Sequence, residues 1–193
     1  MVTTIGGPAA FADGPPPRAA AVLLLLYPDP ATGHETIVFT RRTAHLPTHA
    51  GQISFPGGSQ DPDDADAAAA ALREAHEELG IPPAAVTVVG TLPPVHTVVS
   101  NYLITPIIGH AAARPAFVPN PGEVAEVIEV PVAGLRVAGI HRQEVRETPR
   151  GPVEVHYFEY GPYTIWGATA RILHIFLGGE PLVAGATPAH IAS

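Results

Sequence analysis

The apolar positions of the chain fall into short strand-like runs around one strongly amphipathic segment. Residues 18–27 form a continuous apolar run that is too short for most helices and is closed by a Pro-Asp-Pro turn, which is typical of a strand buried on both faces. Residues 35–41 follow across a turn at Gly33 and are expected to pair with this strand as a hairpin. Together the two segments predict neighbouring strands of one sheet.

The amphipathic segment predicts a helix that begins at Asp64 or Asp66 and ends at Gly80. Either aspartate can serve as the N-cap, the alanine run 67–71 has high helix propensity, and two prolines after Gly80 prevent continuation. At about 100° per residue, the face expected to pack inward and the charged face are fully separated. The first carries Ala68, Leu72, Ala75 and Leu79, and the second carries Arg73, Glu74, Glu77 and Glu78.

The rest of the pattern alternates β-rich segments with turns and ends in a second helix. Residues 93–101 form a loop that is placed to close over a substrate, and residues 165–177 have a helical period with Ala168, Ile172, Ile175 and Phe176 inward. The order of elements predicts an α/β (α+β) protein with a mixed sheet between helices. The further expected strands are residues 86–92, 102–109, 123–131, 143–147 and 153–160.

The length of 193 residues suits one domain with a sizeable core. We expect a flexible N-terminal leader over residues 1–17, one domain over residues 18–177 and a C-terminal tail over residues 178–193. No internal repeat is visible in the sequence.

Composition and charge argue against nucleic acid and membranes as binding partners. The formal net charge of −8 disfavours nonspecific binding to nucleic acid or to membranes, and no apolar run approaches the roughly 18 residues of a membrane span. The chain has no cysteine and lacks the features of a secretory signal at its N-terminus, so we expect a cytoplasmic protein. A phosphate-bearing substrate would then need metal ions and a few placed arginines.

Three glutamates lie at the C-terminal end of the predicted helix, where the helix dipole disfavours each negative charge by roughly 0.3–1 kcal/mol. Glu74 and Glu78 are also like charges at i,i+4. Arg73 lies at i,i+4 to Glu77 and is expected to fix that side chain, leaving Glu74 and Glu78 unneutralised. The alternative is a solvated acidic face, but the glycine turn upstream favours a site for a hard cation, Mg²⁺ or Mn²⁺.

Gly58, followed at a fixed distance by residues 73–81 with the pattern Arg-Glu-x-x-Glu-Glu-x-Gly-Ile, resembles the Nudix box. This box is the signature of enzymes that hydrolyse nucleoside diphosphates linked to another moiety. The resemblance implies a Nudix α/β/α sandwich with a mixed central sheet over residues 18–177. It also implies catalysis by Arg73 and the box glutamates, with the ion held by Glu74, Glu77, Glu78 and the carbonyl of Gly58.

The loop and the preceding linker resemble those of the coenzyme A pyrophosphatase branch of this family. The loop between Gly58 and Arg73 is one residue longer than in the commoner box and is acidic, and residues 38–58 follow the branch signature except at Thr43 and Pro47. Pro47 stands where the signature has a second arginine, which Arg41 or His49 would have to replace. The expected substrate-binding residues are Arg41, Arg42, His49, Phe55, Gly57 and Gly58.

Other residues leave alternatives open. Glu123 follows a turn and is a candidate for the glutamate outside the box that acts as base or extra ligand in several Nudix enzymes; the alternative is a solvated turn carboxylate. Arg41 and Arg42 can contact phosphate bidentately or form an ordinary strand end. The loop histidines His45 and His49 can be structural, and no His/Cys spacing indicates zinc.

The resemblance implies hydrolysis of coenzyme A or acyl-coenzyme A to 3′,5′-ADP and 4′-phosphopantetheine or its acyl form. The second reading is a Nudix hydrolase of ADP-ribose or another nucleoside diphosphate derivative. A non-catalytic Nudix ligand sensor is disfavoured because all box residues are present. A homodimer remains an open alternative to a monomer.

Overall fold

The computed structural model of the protein describes residues 15–44, 50–97, 100–148 and 151–178. Most of the expected leader and tail, together with His45, Pro47 and His49, lies outside these residues. The helices are α1 (Ala67–Leu79), α2 (Val132–Leu135) and α3 (Gly167–Phe176), with a 3₁₀ turn at Pro83–Ala85. The strands are β1 (Arg18–Pro28), β2 (Glu35–Arg42), β3 (Ile53–Ser54), β4 (Gly57–Ser59), β5 (Thr87–Thr91), β6 (Val95–Thr97), β7 (Tyr102–His110), β8 (Val124–Pro131), β9 (His141–Thr148), β10 (Gly151–Tyr160) and β11 (Tyr163–Trp166).

Strand β1 lies at the centre of an eight-stranded mixed sheet in the described part of the chain. It pairs antiparallel with β2, with Leu26 opposite Ile37, and parallel with β7, with Leu23 opposite Ile107. The expected hairpin and the expected mixed sheet are therefore confirmed. Strands β9, β10 and β11 form a separate antiparallel sheet.

Both faces of β1 are buried, as its continuous apolar sequence predicts. Leu24 and Leu26 face a cluster that includes residues of β10 and α3, whereas Leu23 and Leu25 face the cluster that contains α1. Helix α1 packs against β1 and β4, and α3 packs against β10, β11 and β6. The large sheet thus lies between helices, which confirms the expected α/β sandwich. No helix in the described residues has the length and apolar character needed to cross a membrane.

Helix α1 has the predicted caps but a rotated inner face. The Asp66 side chain accepts a hydrogen bond from Ala69 N at 2.8 Å, so Asp66 rather than Asp64 is the N-cap, and Gly80 ends the helix in the left-handed region at φ 69°. Ala68 and Leu72 are only partly buried. The side chains buried on α1 are Ala70, Ala71, Ala75, Glu78 and Leu79. The expected stripe was therefore displaced, because α1 also packs on β4, a strand too short to be predicted from periodicity.

Two segments differ from the expected elements. Residues 165 and 166 belong to β11 rather than to the final helix, because Gly167 adopts a φ of 67° and separates the strand from α3. Part of the expected loop 93–101 forms β6, which pairs with β7. In α3, Ile172 is buried as expected, together with Ala170 and Leu173.

Candidate active site

The glycine turn and α1 meet so closely that a side chain in the turn would collide with its neighbours. Strand β4 pairs antiparallel with β1, placing Gly58 opposite Ala21. A Cβ added to Gly58 would lie 2.5 Å from Cδ of Glu74, and one added to Gly57 would lie 2.3 Å from the carbonyl oxygen of Ala21. Gly57 also has a φ of 151°, which side-chain-bearing residues rarely adopt. The turn thus brings its backbone directly against the carboxylate of Glu74.

Arg73 joins the acidic loop to the glutamates of the helix. Its Nε and Nη2 donate to the two carboxylate oxygens of Asp64 at 3.0 and 2.9 Å, and Nη2 also donates to the carbonyl oxygen of Ser59 at 3.0 Å. Its Nη1 donates to Glu74 at 3.0 Å and to Glu77 at 3.3 Å. The expected contact with Glu77 is present. The expectation that Arg73 leaves Glu74 unneutralised is wrong, because the guanidinium fork reaches both carboxylates.

Glu78 points into the protein rather than to solvent. Its side chain is 3% exposed, so the expected separation of a charged and an apolar face of α1 does not hold. Gly57 N donates to its Oε2 at 3.4 Å, and Arg42 Nη1 lies 3.8 Å from its Oε1. Burial raises the pKa of Glu78 to about 8. A buried carboxylate with such long contacts is costly unless a cation joins it.

Glu74 and Glu123 share this acidic environment. Burial raises the pKa of Glu74, while its contact with Arg73 lowers it and the charges of Glu77 and Glu123 raise it further. Glu123 also contributes to the raised pKa of Glu78, after burial and together with Glu74. The negative charge of Glu123 therefore acts on the carboxyl groups of both helix residues.

The loop that carries Glu123 is fastened to the end of α1. Asn120 N donates to the carbonyl oxygen of Glu78 at 2.8 Å, and Val118 N donates to that of Leu79 at 2.8 Å. The side chain of Asn120 donates to Oε1 of Glu123 at 3.3 Å. The turn thus uses the last carbonyl groups of α1, which have no partner within the helix, to fix the position of Glu123.

Of the linker residues expected to bind substrate, Arg42 lies at the acidic site, Arg41 lies on the surface and Phe55 lies in the core. Arg42 faces Glu78, and its Nε is buried with no hydrogen-bond partner among the described residues. Arg41 is half exposed and pairs with Glu126 at 2.9 Å. Phe55 is 1% exposed and stacks on Phe39 with ring centroids 4.8 Å apart, so its side chain lies in the core and not on the surface of the site.

A cavity of about 490 Å³ borders Arg41. Its wall includes Gln52, Tyr163 and Trp166, and the hydroxyl of Tyr163 donates to Glu126 at 2.7 Å. Trp166 is 42% exposed, which is unusual for so large an apolar side chain. The sequence did not indicate these aromatic residues, because residues 163–166 were interpreted as loop and helix.

The oxygen donors fit a hard divalent cation. The carboxylate of Glu74 lies against Gly58, that of Glu78 accepts a hydrogen bond from Gly57 N, and Arg73 joins Glu74 to Glu77. Mg²⁺ and Mn²⁺ prefer such oxygen ligands. An ion there would also supply the cation that the buried Glu78 carboxylate lacks. The arrangement can therefore hold a diphosphate between metal and arginine.

A family model described as the NUDIX domain matches residues 16–149. The chain belongs to the Nudix family. It is 42% identical over 159 residues to a protein of Photorhabdus laumondii described as "Uncharacterized Nudix hydrolase NudL", covering 81% of this chain and 82% of the relative. It is 41% identical over 158 residues to a protein of the same description from Escherichia coli, covering 81% of this chain and 79% of that one.

A solved structure agrees with this assignment. The Nudix hydrolase RenU from M. smegmatis is 30% identical and superposes with a TM-score of 0.53, covering 63% of this chain and 75% of its own. This Nudix protein is therefore a pyrophosphohydrolase that acts on a diphosphate substrate. Nudix hydrolases generally use divalent metal ions, which is consistent with the donors around Glu74 and Glu78.

Proposed function

We propose that this Nudix hydrolase cleaves coenzyme A or an acyl-coenzyme A at its diphosphate. The products are 3′,5′-ADP and 4′-phosphopantetheine or its acyl form. The observation that carries the proposal is that the linker resembling coenzyme A pyrophosphatases borders the acidic site. It runs from β2 to β4, and Arg42 within it lies 3.8 Å from Glu78.

Glu74 and Glu78 would hold the metal, with Glu77 and the carbonyl of Gly58 as further ligands. When bound, Mg²⁺ or Mn²⁺ neutralises the diphosphate and activates water. Arg73 acts as a positioning residue, since its contacts with Glu74 and Glu77 fix the orientation of both carboxylates before the substrate arrives.

Arginines of the linker bind the phosphates. The buried Nε of Arg42 is a donor without a partner in the described residues, and it lies on the same side chain that approaches Glu78. Arg41 is half exposed beside the cavity that Trp166 borders, so it is placed to contact a part of the substrate beyond the diphosphate. The exposed indole of Trp166 offers a flat apolar surface for adenine or for the pantetheine arm.

Glu123 acts as the general base. Its negative charge acts on Glu74 and Glu78, and two hydrogen bonds attach the loop that carries it to the end of α1, which supports this role. The oxygen of water attacks one phosphorus, the bond from that phosphorus to the bridging oxygen breaks, and Glu123 accepts a proton from the water. The bridging oxygen leaves with the second phosphate.

A substrate panel tests the choice of coenzyme A over ADP-ribose. The panel contains coenzyme A, dephospho-coenzyme A, ADP-ribose and a dinucleoside polyphosphate, each with Mg²⁺ and with Mn²⁺, and the products are identified by mass. We expect coenzyme A to have at least a tenfold higher kcat/KM than dephospho-coenzyme A, because a charge-assisted contact to the 3′-phosphate is worth about 1.5–3 kcal/mol.

Two variants test whether Arg41 binds the 3′-phosphate. Arg41→Ala should remove much of the difference between coenzyme A and dephospho-coenzyme A. The matched control is Arg114→Ala, which removes an exposed arginine paired with Glu129 at 2.7 Å outside the linker. If ADP-ribose gives the highest kcat/KM, the coenzyme A assignment fails while the metal chemistry stands.

A further inference from the structure

Three histidines from three separate elements meet in the described part of the chain. His141 lies on β9, His156 on β10 and His174 on α3, and each offers a ring nitrogen within 4.8 Å of the other two. Nε2 of His141 and Nδ1 of His156 are hydrogen-bonded at 3.0 Å. The rings are stacked, with centroids 4.5 to 5.3 Å apart. We call these three residues the histidine cluster.

The fold, rather than sequence spacing, builds this cluster. In the β9–β10 ladder Phe158 is opposite His141 and Gln143 is opposite His156, so the two histidines are diagonal neighbours on one face of the small sheet. Helix α3 packs against β10 and supplies His174. The expectation that no His/Cys spacing indicates zinc rested on short motifs, which cannot reveal histidines that come together only in the folded protein.

The histidine cluster is held in the uncharged form that can bind a metal. Burial lowers the pKa of all three rings, and burial together with His174 and His141 lowers that of His156 to about 4. Arg171 adds to the lowered pKa of His156, whereas Glu154 raises the pKa values of His141 and His174. Neutral imidazole is the form that ligates metals, and Glu154 provides negative charge nearby.

A cavity connects the histidine cluster to solvent. It has a volume of about 340 Å³ and is lined by His141 and His174 together with apolar residues such as Leu135 and Phe158. His156 lies behind them and is 3% exposed. Solvent can therefore reach the rings of His141 and His174, which gives a metal both an entry path and room for a water as fourth ligand.

We propose that His141, His156 and His174 form a second metal site, specific for Zn²⁺ or a similar transition-metal cation. Zn²⁺ binds imidazole nitrogen at about 2.0–2.1 Å, which puts the nitrogens of a tetrahedral site about 3.3 Å apart. One pair is already 3.0 Å apart and all lie within 4.8 Å, so binding would require the more distant nitrogens to approach by about 1.5 Å at most and the stacked rings to turn towards the ion. A bound ion would link the β9–β10 hairpin to α3.

This site differs from the Nudix box in position and in ligand type. Residues of α3 and β10 belong to the core cluster on the side of the sheet opposite α1. Imidazole nitrogen favours Zn²⁺, Cu²⁺ and Ni²⁺, whereas the carboxylates and carbonyl of the box favour Mg²⁺ and Mn²⁺. Excess Mg²⁺ should therefore occupy the box and leave the histidine cluster available.

The test measures Zn²⁺ bound to the full chain after dialysis in excess Mg²⁺, by elemental analysis, together with the thermal unfolding midpoint. Two variants, His141→Asn and His174→Asn, each remove one cavity-facing ligand and keep a planar polar side chain. His34→Ala is the control, because it removes an exposed histidine from the turn between β1 and β2. Circular dichroism checks that each metal-free variant is folded.

We expect the wild-type chain and His34→Ala to bind about one Zn²⁺ under Mg²⁺ and to unfold at a higher temperature with it. Each ligand variant should bind Zn²⁺ at least about tenfold more weakly, since even indirect partners of a metal site are worth about 10–100-fold. Co²⁺ should show the visible absorption of a tetrahedral site only in wild type and control. No Zn²⁺ uptake by wild type under Mg²⁺, or equal uptake by a folded ligand variant, would overturn the proposal.

Discussion

The carboxylate of Glu74 occupies the space that a side chain on Gly58 would need, since an added Cβ would lie 2.5 Å from its Cδ and 2.6 Å from its oxygens. The position of Glu74 on the box helix therefore depends on the absence of a side chain in the glycine turn. The contact explains why a glycine is needed 16 residues before the glutamate. It also places the backbone of the turn beside the Glu74 carboxylate.

Gly58→Ala should displace the Glu74 carboxylate and reduce kcat/KM by at least about tenfold, because a misplaced catalytic group costs far more activity than stability. The unfolding temperature should change little, since the far end of a flexible side chain can move aside. Gly90→Ala is the matched control, because nothing lies within 4 Å of a Cβ added to Gly90. Steady-state kinetics and thermal unfolding test this prediction. A wild-type kcat/KM in Gly58→Ala would show that the position of Glu74 does not depend on this glycine.

The buried Glu78 makes the stability of the metal-free protein depend on pH. Burial raises its pKa from the ordinary 4.5 to about 8, so the folded state binds the proton more tightly than the unfolded state. The corresponding stability is fully present below about pH 4.5 and is lost as pH rises through about 8. The loss is on the order of a few kcal/mol at most.

Thermal unfolding with a chelator from pH 5 to pH 8 measures this effect. The unfolding temperature of the wild type should fall relative to that of Glu78→Gln as the pH rises across that range, because the amide does not ionise. The buried histidines contribute equally to both proteins and cancel in the difference. Glu35→Gln, an exposed carboxylate on β2, is the control and should keep the wild-type slope. Added Mg²⁺ should stabilise the wild type most at the alkaline end. Identical slopes in Glu78→Gln and wild type would show that Glu78 is not the group involved.

Glu123→Ala should lower kcat and change the acidic limb of its pH profile, because a general base must be unprotonated to accept a proton from water. KM should change much less than kcat. Glu147→Ala serves as the control, since Glu147 is an exposed carboxylate of β9. If kcat falls in Glu123→Ala but the shape of the profile stays the same, the base is Glu77 or a metal-activated water and Glu123 only positions groups.

The sequence predicted the parts of the fold that depend on local signals. The apolar run of β1, the hairpin to β2 and both ends of α1 follow from hydrophobicity, turn residues and caps. The orientation of Glu78 could not be predicted in this way. A helical projection places it with the charged residues, whereas β4 and Arg42 approach α1 on that side and enclose it.

The other features that the sequence did not predict have the same physical origin, which is contact between elements distant in sequence. The last two residues of β11 were assigned to the final helix because Ile165 continues the helical period, and only the left-handed Gly167 reveals the break. The position of Glu123 depends on hydrogen bonds from its loop to the carbonyls of Glu78 and Leu79. The histidine cluster depends on the register of β9 with β10 and on the packing of α3.

The turnover of Glu78→Gln with saturating Mg²⁺ tests most directly whether the box carboxylates hold the ion that activates hydrolysis. The measurement uses the best substrate of the panel and compares kcat of Glu78→Gln with that of wild type and of Glu35→Gln, after circular dichroism has shown that all three are folded. We expect kcat to fall by at least about 100-fold in Glu78→Gln alone, as when a major electrostatic contributor to the transition state is removed. Near wild-type turnover in a folded Glu78→Gln protein would contradict the assignment.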